Sequence, residues 1–212
     1  MIKIAPSILA ADPLNLERDV RKMADAGADW LHVDVMDAHF VPNLAFSPAV
    51  VRRLRQATSL PLDVHLMMDR PERYLDVFLD AGADLVTIHA EIAGDLTAML
   101  DKIRRRGARA GLALKPGTGL SAASPFLSHT DMVLTMTVEP GFGGQKLNAE
   151  VPDKIAELRK RGYTGEIEAD GGIKEQNLPM LLEKGLSVAV MGTALFREQD
   201  PTEMIRRLHE MG

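Results

Sequence analysis

The order of apolar and amphipathic segments constrains the fold of this chain more than any other feature. Eight short runs rich in Val, Ile and Leu alternate with longer stretches in which apolar residues recur at helical spacing. The runs are Ile2–Leu9, Trp30–Met36, Leu62–Met67, Leu85–His89, Ala110–Leu114, Met132–Val138, Glu166–Ala169 and Val188–Met191. Parallel strands are joined by crossovers that are usually helices, so the alternation predicts a parallel sheet covered by helices.

The helical stretches fit between these runs. They are Leu14–Ala26, Pro48–Gln56, Tyr74–Ala81, Leu96–Arg106, Val151–Arg161, Gln176–Lys184 and Thr202–Glu210, with a weaker pattern around Ala122–Leu127 that Pro125 interrupts. Eight strand–helix units in 212 residues suffice for a compact (β/α)8 TIM barrel. A doubly wound sheet competes, but no Gly-x-Gly-x-x-Gly motif opens the first helix. We therefore expect a barrel, and one domain over residues 1–212 because no linker interrupts the pattern.

Charge and composition argue against several classes of partner. The chain has 25 Lys+Arg and 30 Asp+Glu, a formal charge of −5, and its longest basic run is Arg104–Arg106, which argues against nucleic acid and anionic membranes. No apolar run approaches the roughly 20 residues that span a bilayer, and no signal peptide pattern opens the chain. The absence of cysteine excludes disulfides and thiolate ligands. We expect a soluble, cytoplasmic protein.

Titratable side chains occupy one face of three predicted strands. Side chains alternate between the two faces of a strand, so each of these strands carries a polar set on one side. The sets are His32, Asp34 and Met36; Asp63, His65 and Met67; and Glu166, Glu168 and Asp170. Turning them toward the helices would place charges in the driest layer of the fold. We therefore expect these faces to point into the barrel, toward the mouth at the carboxyl ends of the strands.

Four of these residues, His32, Asp34, His65 and Asp170, stand near the carboxyl ends of their strands and can converge. Any one of them alone is typical of a core histidine, a helix cap or an ion pair, whereas the four together favour a functional site. Nitrogen and oxygen donors without sulfur suit zinc, iron(II), manganese or cobalt, so we expect one divalent metal ion. His89 ends the fourth strand at the same mouth, where it either contacts substrate or serves the structure.

Glycines cluster after the last three predicted strands. The clusters contain Gly141, Phe142, Gly143 and Gly144; Gly171 and Gly172; and Gly192 followed by Thr193. Glycine lets backbone N–H groups approach an anion, and barrels often bind phosphate after strands seven and eight. A single cluster is typical of a tight turn, but three at one mouth favour a phosphorylated ligand.

These residues stand in motifs that resemble the ribulose-phosphate 3-epimerase family. The motifs are Ala5–Leu9, Leu31–Asn43, Asp63–Met67, Met136–Gln145 and Asp170–Ile173, and the similarity runs from Ile4 to about Phe196. The resemblance implies a ribulose-phosphate-binding (β/α)8 barrel. It also implies that the protein interconverts D-ribulose 5-phosphate and D-xylulose 5-phosphate by two-base proton exchange at C3 through a 2,3-enediolate.

The resemblance further implies roles for individual residues. His32, Asp34, His65 and Asp170 would hold the metal, and Asp34 and Asp170 would also act as the acid and base. Substrate contacts are implied for Ser7, His65, Met36, Met67, Met136, Gly141, Phe142, Gly143, Gly144, Gly171, Gly172, Gly192 and Thr193. Members of the family associate as dimers or hexamers, so the resemblance implies a homo-oligomer of one of these sizes.

Three other functions share part of this residue pattern. An allulose-6-phosphate 3-epimerase would share the four ligands, and this chain varies from common family residues at the phosphate end. Phosphate-dependent sugar decarboxylases carry Asp-x-Lys-x-x-Asp on a strand, whereas Met36 stands at the lysine position here, which argues against them. A non-catalytic sugar-phosphate-binding protein would not need Asp170 opposite Asp34.

Overall fold

The computed structural model describes residues 1–212, and its strands form one continuous sheet. The strands are β1 (Lys3–Pro6), β2 (Leu31–Asp37), β3 (Leu44–Ala45), β4 (Leu62–Met67), β5 (Leu85–His89), β6 (Arg109–Leu114), β7 (Met132–Met136), β8 (Glu166–Asp170) and β9 (Val188–Met191). They are ordered β1-β9-β8-β7-β6-β5-β4-β2-β3, and every pairing is parallel except that of the two-residue β3 with β2.

The two ends of this sheet meet, which closes it into a barrel. Ser7, just after β1, forms a parallel bridge with His32 of β2. The Trp30 amide also donates to the Ile4 carbonyl at 3.4 Å. Eight parallel strands therefore surround a common interior, and the predicted (β/α)8 barrel is confirmed.

Helices cover the outside of the barrel. They are α1 (Leu16–Asp25), α2 (Pro48–Ala57), α3 (Leu75–Asp80), α4 (Leu96–Arg105), α5 (Pro152–Lys160), α6 (Leu178–Glu183), α7 (Thr193–Phe196) and α8 (Pro201–Glu210). Their apolar faces pack on outward strand residues such as Leu31, Val33 and Val35 to form the main hydrophobic core. None of the helices combines the length and apolar character needed to cross a membrane.

The first predicted strand, Ile2–Leu9, is shorter in the structure. It ends at Pro6 because the Ser7 hydroxyl accepts a hydrogen bond from the Leu9 amide at 3.3 Å and caps a 3₁₀ helix over Ile8–Ala10. This turn leaves the Ser7 side chain at the mouth of the barrel.

Other differences concern short elements. The stretch around Ala122–Leu127 belongs to two 3₁₀ helices, Leu120–Ala122 and Ser124–His129, because Pro125 cannot supply the N–H of a regular α-helix. The sequence did not predict β3 or α7. Segments of two and four residues are too short to show a period of two or 3.6.

A repeated hydrogen bond ties neighbouring strands together in pairs at the amino end of the barrel. Each time, a polar side chain just before one strand accepts the amide N–H of a residue at the start of the strand beside it. The pairs are Asp29 with Ile4 (2.7 Å), Asp84 with Leu62 (2.8 Å), Asp131 with Ala110 (2.9 Å) and Ser187 with Ile167 (2.9 Å). Asp29 and Asp84 end the two copies of Asp-Ala-Gly-Ala-Asp, so the repeat marks a shared structural role.

Candidate active site

Four side chains of β2, β4 and β8 meet inside the barrel. Asp34, His65 and Asp170 lie in the middle or at the carboxyl end of their strands, but His32, which was expected near the carboxyl end, is the second residue of β2. His32 and Asp34 come from β2, His65 from β4 and Asp170 from the end of β8. One nitrogen or oxygen of each lies within 4.8 Å of the others. His32 Nε2 is 3.2 Å from Asp34 Oδ1 and 3.9 Å from Asp170 Oδ2, and His65 Nδ1 is 3.4 Å from Asp34 Oδ1. The structure therefore brings together the four residues that the sequence pattern singled out.

Hydrogen bonds outside the cluster orient its members. His32 Nδ1 lies 2.5 Å from Asp63 Oδ2, which leaves Nε2 facing Asp34 and Asp170. The Ser7 hydroxyl donates to Asp34 Oδ2 at 2.6 Å, which leaves Oδ1 facing the two histidines. A carboxylate on the far nitrogen of a histidine is a common device for holding a ligand in one orientation.

The two aspartates of the cluster have opposite electrostatics. Burial and the negative charge of Asp34 raise the pKa of Asp170 to about 7. Burial acts in the same direction on Asp34, but the positive charge of His32 and the hydrogen bond between His32 and Asp34 hold the pKa of Asp34 well below its usual range. One carboxyl therefore remains ionised while the other exchanges its proton near neutral pH.

A divalent cation would fit this cluster. His65 Nδ1 is buried without a hydrogen-bond partner, although it points at a carboxylate oxygen. With His65 neutral and Nδ1 unprotonated, the lone pair of Nδ1 and those of Asp34 Oδ1 face each other at 3.4 Å with no proton between them. Such a donor set favours a positive ion, and its two imidazoles and two carboxylates suit zinc, iron(II), manganese or cobalt.

Two further carboxyls lie deeper in the barrel. Asp63 and Glu168 are fully buried, and Glu168 Oε1 is 3.6 Å from His32 Nδ1. Burial and the charge of Asp63 raise the pKa of Glu168 well above its usual range. Glu168 therefore holds its proton more strongly than an exposed glutamate does, and it lies beside the His32–Asp63 pair.

A cavity of about 840 Å³ opens above the cluster. Its wall includes Ser7, Asp34, Met36, Met67, Met136, Gly141, Phe142, Gly143, Gly144, Asp170, Gly171, Gly172, Gly192 and Thr193. The structure thus places all of the predicted substrate residues except His65 in the wall of one cavity, and Phe142 differs from the rest of the wall in being largely exposed. His65 is wholly buried behind the wall, whereas the Phe142 side chain projects at the rim and is 55% exposed.

The cavity has a thioether end and a glycine end. Met36 and Met67 pack with Val41 beside the His–Asp cluster, which makes that end apolar and polarizable. The three glycine loops lie on the opposite side, after β7, β8 and β9. The cavity is therefore shaped for a ligand with a reactive polar centre at one end and an anion at the other.

Sequence reasoning missed several residues of this region. Lys174 and Arg197 line the glycine end and bring positive charge to it, but exposed cations are too common on surfaces to stand out in a sequence. Glu91 was also missed, although a carboxylate two residues beyond His89 was an available signal. Neither His89 nor Glu91 lines the cavity: His89 Nε2 lies 2.8 Å from His65 Nε2, and His89 Nδ1 lies 3.0 Å from Glu91 Oε2.

Comparison with solved structures supports the fold. The structure of 3-hexulose-6-phosphate synthase from Salmonella typhimurium superposes with a TM-score of 0.74 over 99% of this chain and 98% of that chain. The two sequences are 17% identical, so this likeness concerns the barrel architecture alone.

Sequence comparison identifies the family. The profile of the ribulose-phosphate 3 epimerase family matches residues 3–196. A ribulose-phosphate 3-epimerase of Bacillus subtilis is 40% identical over 98% of both chains. A second, from Schizosaccharomyces pombe, is 44% identical over 97% of this chain and 92% of the relative. Because the match spans nearly the whole length at this identity, the chain belongs to the ribulose-phosphate 3-epimerase family.

Proposed function

We propose that this protein is a metal-dependent epimerase that interconverts D-ribulose 5-phosphate and D-xylulose 5-phosphate. The observation that carries the proposal is the meeting of two histidines and two aspartates at the floor of a cavity whose far wall is rich in glycine. Family membership supplies the substrate class, and one barrel over residues 1–212 would contain the whole site.

Inversion at C3 of a 2-ketose needs removal of a proton beside a carbonyl and return of one on the opposite face. Asp34 and Asp170 come from strands on different sides of the site and both line the cavity, so they can face a sugar from two directions. The pKa of Asp170, raised to about 7, suits a group that gives and takes a proton near neutral pH. Each aspartate would act as base in one direction and as acid in the other.

The bound cation would supply positive charge where negative charge develops on the sugar oxygens as the proton leaves. Ser7 would keep Asp34 oriented through its 2.6 Å hydrogen bond. Met36, Met67 and Met136 would exclude water from the reacting carbons while adding no competing proton donor.

The glycine end would bind the phosphate. Backbone N–H groups of the loops after β7, β8 and β9 can approach an anion closely, and the Thr193 hydroxyl can donate to it. Lys174 and Arg197 in the same wall would add long-range attraction. With the phosphate at this end, the sugar would extend toward the two aspartates.

We also propose that copies of this chain associate into a homo-oligomer. Two large apolar side chains, Leu14 and Leu44, are 91% and 76% exposed, and burial in a subunit interface would remove their apolar surface from water. Sedimentation velocity of the purified protein would distinguish a dimer or hexamer from a monomer.

Proton NMR of the metal-loaded protein with D-ribulose 5-phosphate in D₂O tests the proposed reaction. We expect xylulose 5-phosphate to appear with deuterium at C3. Exchange with D-allulose 6-phosphate but not with ribulose 5-phosphate would replace the substrate and keep the chemistry. Absence of exchange with both sugars, in protein shown to hold metal, would contradict the assignment as an epimerase.

A further inference from the structure

A chain of hydrogen bonds leads away from His65, on the side opposite the candidate metal site. His65 Nε2 lies 2.8 Å from Nε2 of His89, and His89 Nδ1 lies 3.0 Å from Glu91 Oε2. The other Glu91 oxygen, Oε1, accepts the Lys115 amide N–H at 2.7 Å. His65 and His89 are both fully buried, so no water competes for their ring nitrogens.

The chemistry of these groups sets the direction of each bond. An ionised carboxylate only accepts hydrogen bonds, so His89 must donate to Glu91 through Nδ1–H. A second proton on His89 would place a charge in a buried site, where it is costly. Neutral His89 therefore presents a lone pair at Nε2, and only an Nε2–H on His65 can meet it.

We propose that Glu91, acting through His89, holds His65 in its Nε2–H tautomer and so leaves Nδ1 unprotonated to bind the metal. This inference rests on the proposed metal-dependent function. His89 and Glu91 are positioning residues, since neither lines the substrate cavity.

His32 and His65 face the cluster with different ring nitrogens, so they need different partners to fix their tautomers. The imidazole of His89 is the partner of His65. His32 faces the site with Nε2, and Asp63 accepts directly from its Nδ1. His65 faces the site with Nδ1, and its Nε2 meets an imidazole rather than a carboxylate. An imidazole can be acceptor or donor, so His89 fixes the tautomer only because Glu91 fixes that of His89.

Metal affinity measured by chelator competition with Zn²⁺ and Co²⁺ tests the inference independently of turnover. His89→Leu removes the acceptor for Nε2–H, and we expect affinity to fall about ten- to hundredfold, the usual cost of losing such a partner. Glu91→Ala should weaken binding in the same direction. His89→Gln places an amide oxygen near the lost nitrogen and should recover most of the affinity.

A matched control lies on the outside of the barrel. His129 Nδ1 is 2.8 Å from Asp101 Oδ1, the same kind of pair without a link to the site. His129→Leu should leave metal affinity unchanged. An affinity of folded His89→Leu protein equal to that of wild type would overturn the inference.

The wild-type protein supplies a second test that needs no folded variant. Long-range ¹H–¹⁵N NMR of the metal-free protein, with His65 signals assigned by His65→Gln, reports which ring nitrogen carries the proton. We expect Nε2–H for His65 and Nδ1–H for His89; the reverse pattern would contradict the inference. Failure of ribulose 5-phosphate turnover in wild type, with these NMR and affinity results intact, would refute the proposed substrate and leave the positioning role standing.

Discussion

At the scale of single residues, the pKa of a buried aspartate in this site depends more on its neighbours than on its residue type. Asp34 and Asp170 are both buried aspartates in one cluster, yet their pKa values move in opposite directions. Asp34 accepts a hydrogen bond from Ser7 and lies 3.2 Å from His32, whereas Asp170 is 3.9 Å from His32 and its pKa is raised by burial and by the charge of Asp34. This difference gives the pair one ionised carboxylate and one group that can carry a proton at neutral pH.

Asp34→Asn and Asp170→Asn should each reduce turnover of ribulose 5-phosphate at least about a hundredfold, because an amide cannot accept the C3 proton. Steady-state rates should be measured together with metal content, so that lost metal is distinguished from a lost base. Asp69→Asn, at an exposed aspartate of the same end of the barrel, is the control and should keep its rate. Near-normal turnover of either site variant would rule out the two-base scheme.

Metal affinity should rise with pH between 6 and 8. The raised pKa of Asp170, about 7, means that this carboxyl holds a proton at pH 6 that the metal must displace, whereas it is ionised at pH 8. One such proton changes apparent affinity about tenfold over this interval. Titration calorimetry in buffers of different ionisation enthalpy would measure both the affinity and the protons released. Equal affinity at pH 6 and 8 would contradict the assignment of a proton to Asp170.

At the scale of elements, each parallel strand has a structural end and a functional end. Its amino end is tied to a neighbouring strand, as in the bonds from Ile4 to Asp29 and from Leu62 to Asp84. The mouth lies at the carboxyl ends, and β2, β4 and β8 carry the polar side chains of the site. Separating the two roles lets the loops after β7, β8 and β9 vary without loosening the sheet.

Asp84→Ala should destabilise the protein by about 1–3 kcal/mol, because the amide N–H of fully buried Leu62 loses its acceptor. Asp80→Ala in the same pentapeptide removes only exposed contacts with Arg106 and should change stability by less than about 0.5 kcal/mol. Urea unfolding of both variants gives the comparison. Equal effects would show that the amide bond to Asp84 does not contribute.

Gly172→Ala should raise the KM for the sugar phosphate with little change in metal affinity. A Cβ at this position, where φ is +65°, would lie 2.5 Å from the Leu147 amide nitrogen and 2.7 Å from the Gln145 carbonyl oxygen. The loop after β7 must then move away from the loop after β8, which opens the glycine end. Gly117→Ala is the control, since a Cβ there meets nothing within 4 Å. An unchanged KM for Gly172→Ala would place the phosphate elsewhere.

At the scale of the whole molecule, closure of the barrel assembles the site. His32, His65 and Asp170 lie on strands far apart in sequence, and β8 is separated from β2 in the sheet by β9 and β1. The closing contact between Ser7 and His32 brings the two ends of the sheet together. Unfolding must therefore disperse the ligands, which links metal binding to stability.

Adding Zn²⁺, Mn²⁺ or Co²⁺ to the metal-free protein should raise its unfolding temperature. At a free metal concentration 100 times Kd, the free energy of unfolding gains about 2.7 kcal/mol. For a chain of this length, that corresponds to a shift of roughly 5–10 °C. Ca²⁺ is the control because it prefers more oxygen ligands than this site offers. Equal shifts with Ca²⁺ and Zn²⁺ would point to nonspecific binding.

The sequence by itself determined the barrel and the residues at its mouth. Periodicities of two and 3.6 depend only on which local face is buried, so the strands Leu62–Met67, Leu85–His89 and Val188–Met191 could be predicted to the residue. Alternation also separated the inward set of His32 and Asp34 from the outward core. Short elements such as β3 and α7 could not be found because each contains only about one period of its pattern, so no repetition is visible.

The tertiary structure decided how those residues act. Which imidazole nitrogen faces the cluster, which aspartate holds a proton and what lies behind His65 depend on contacts between strands distant in sequence. Glu91 illustrates this limit, because its proposed role requires the ring nitrogens of His89 and His65 to meet across β4 and β5. Local patterns specify which faces are buried, whereas pKa values and tautomers follow from distances that exist only after the barrel closes.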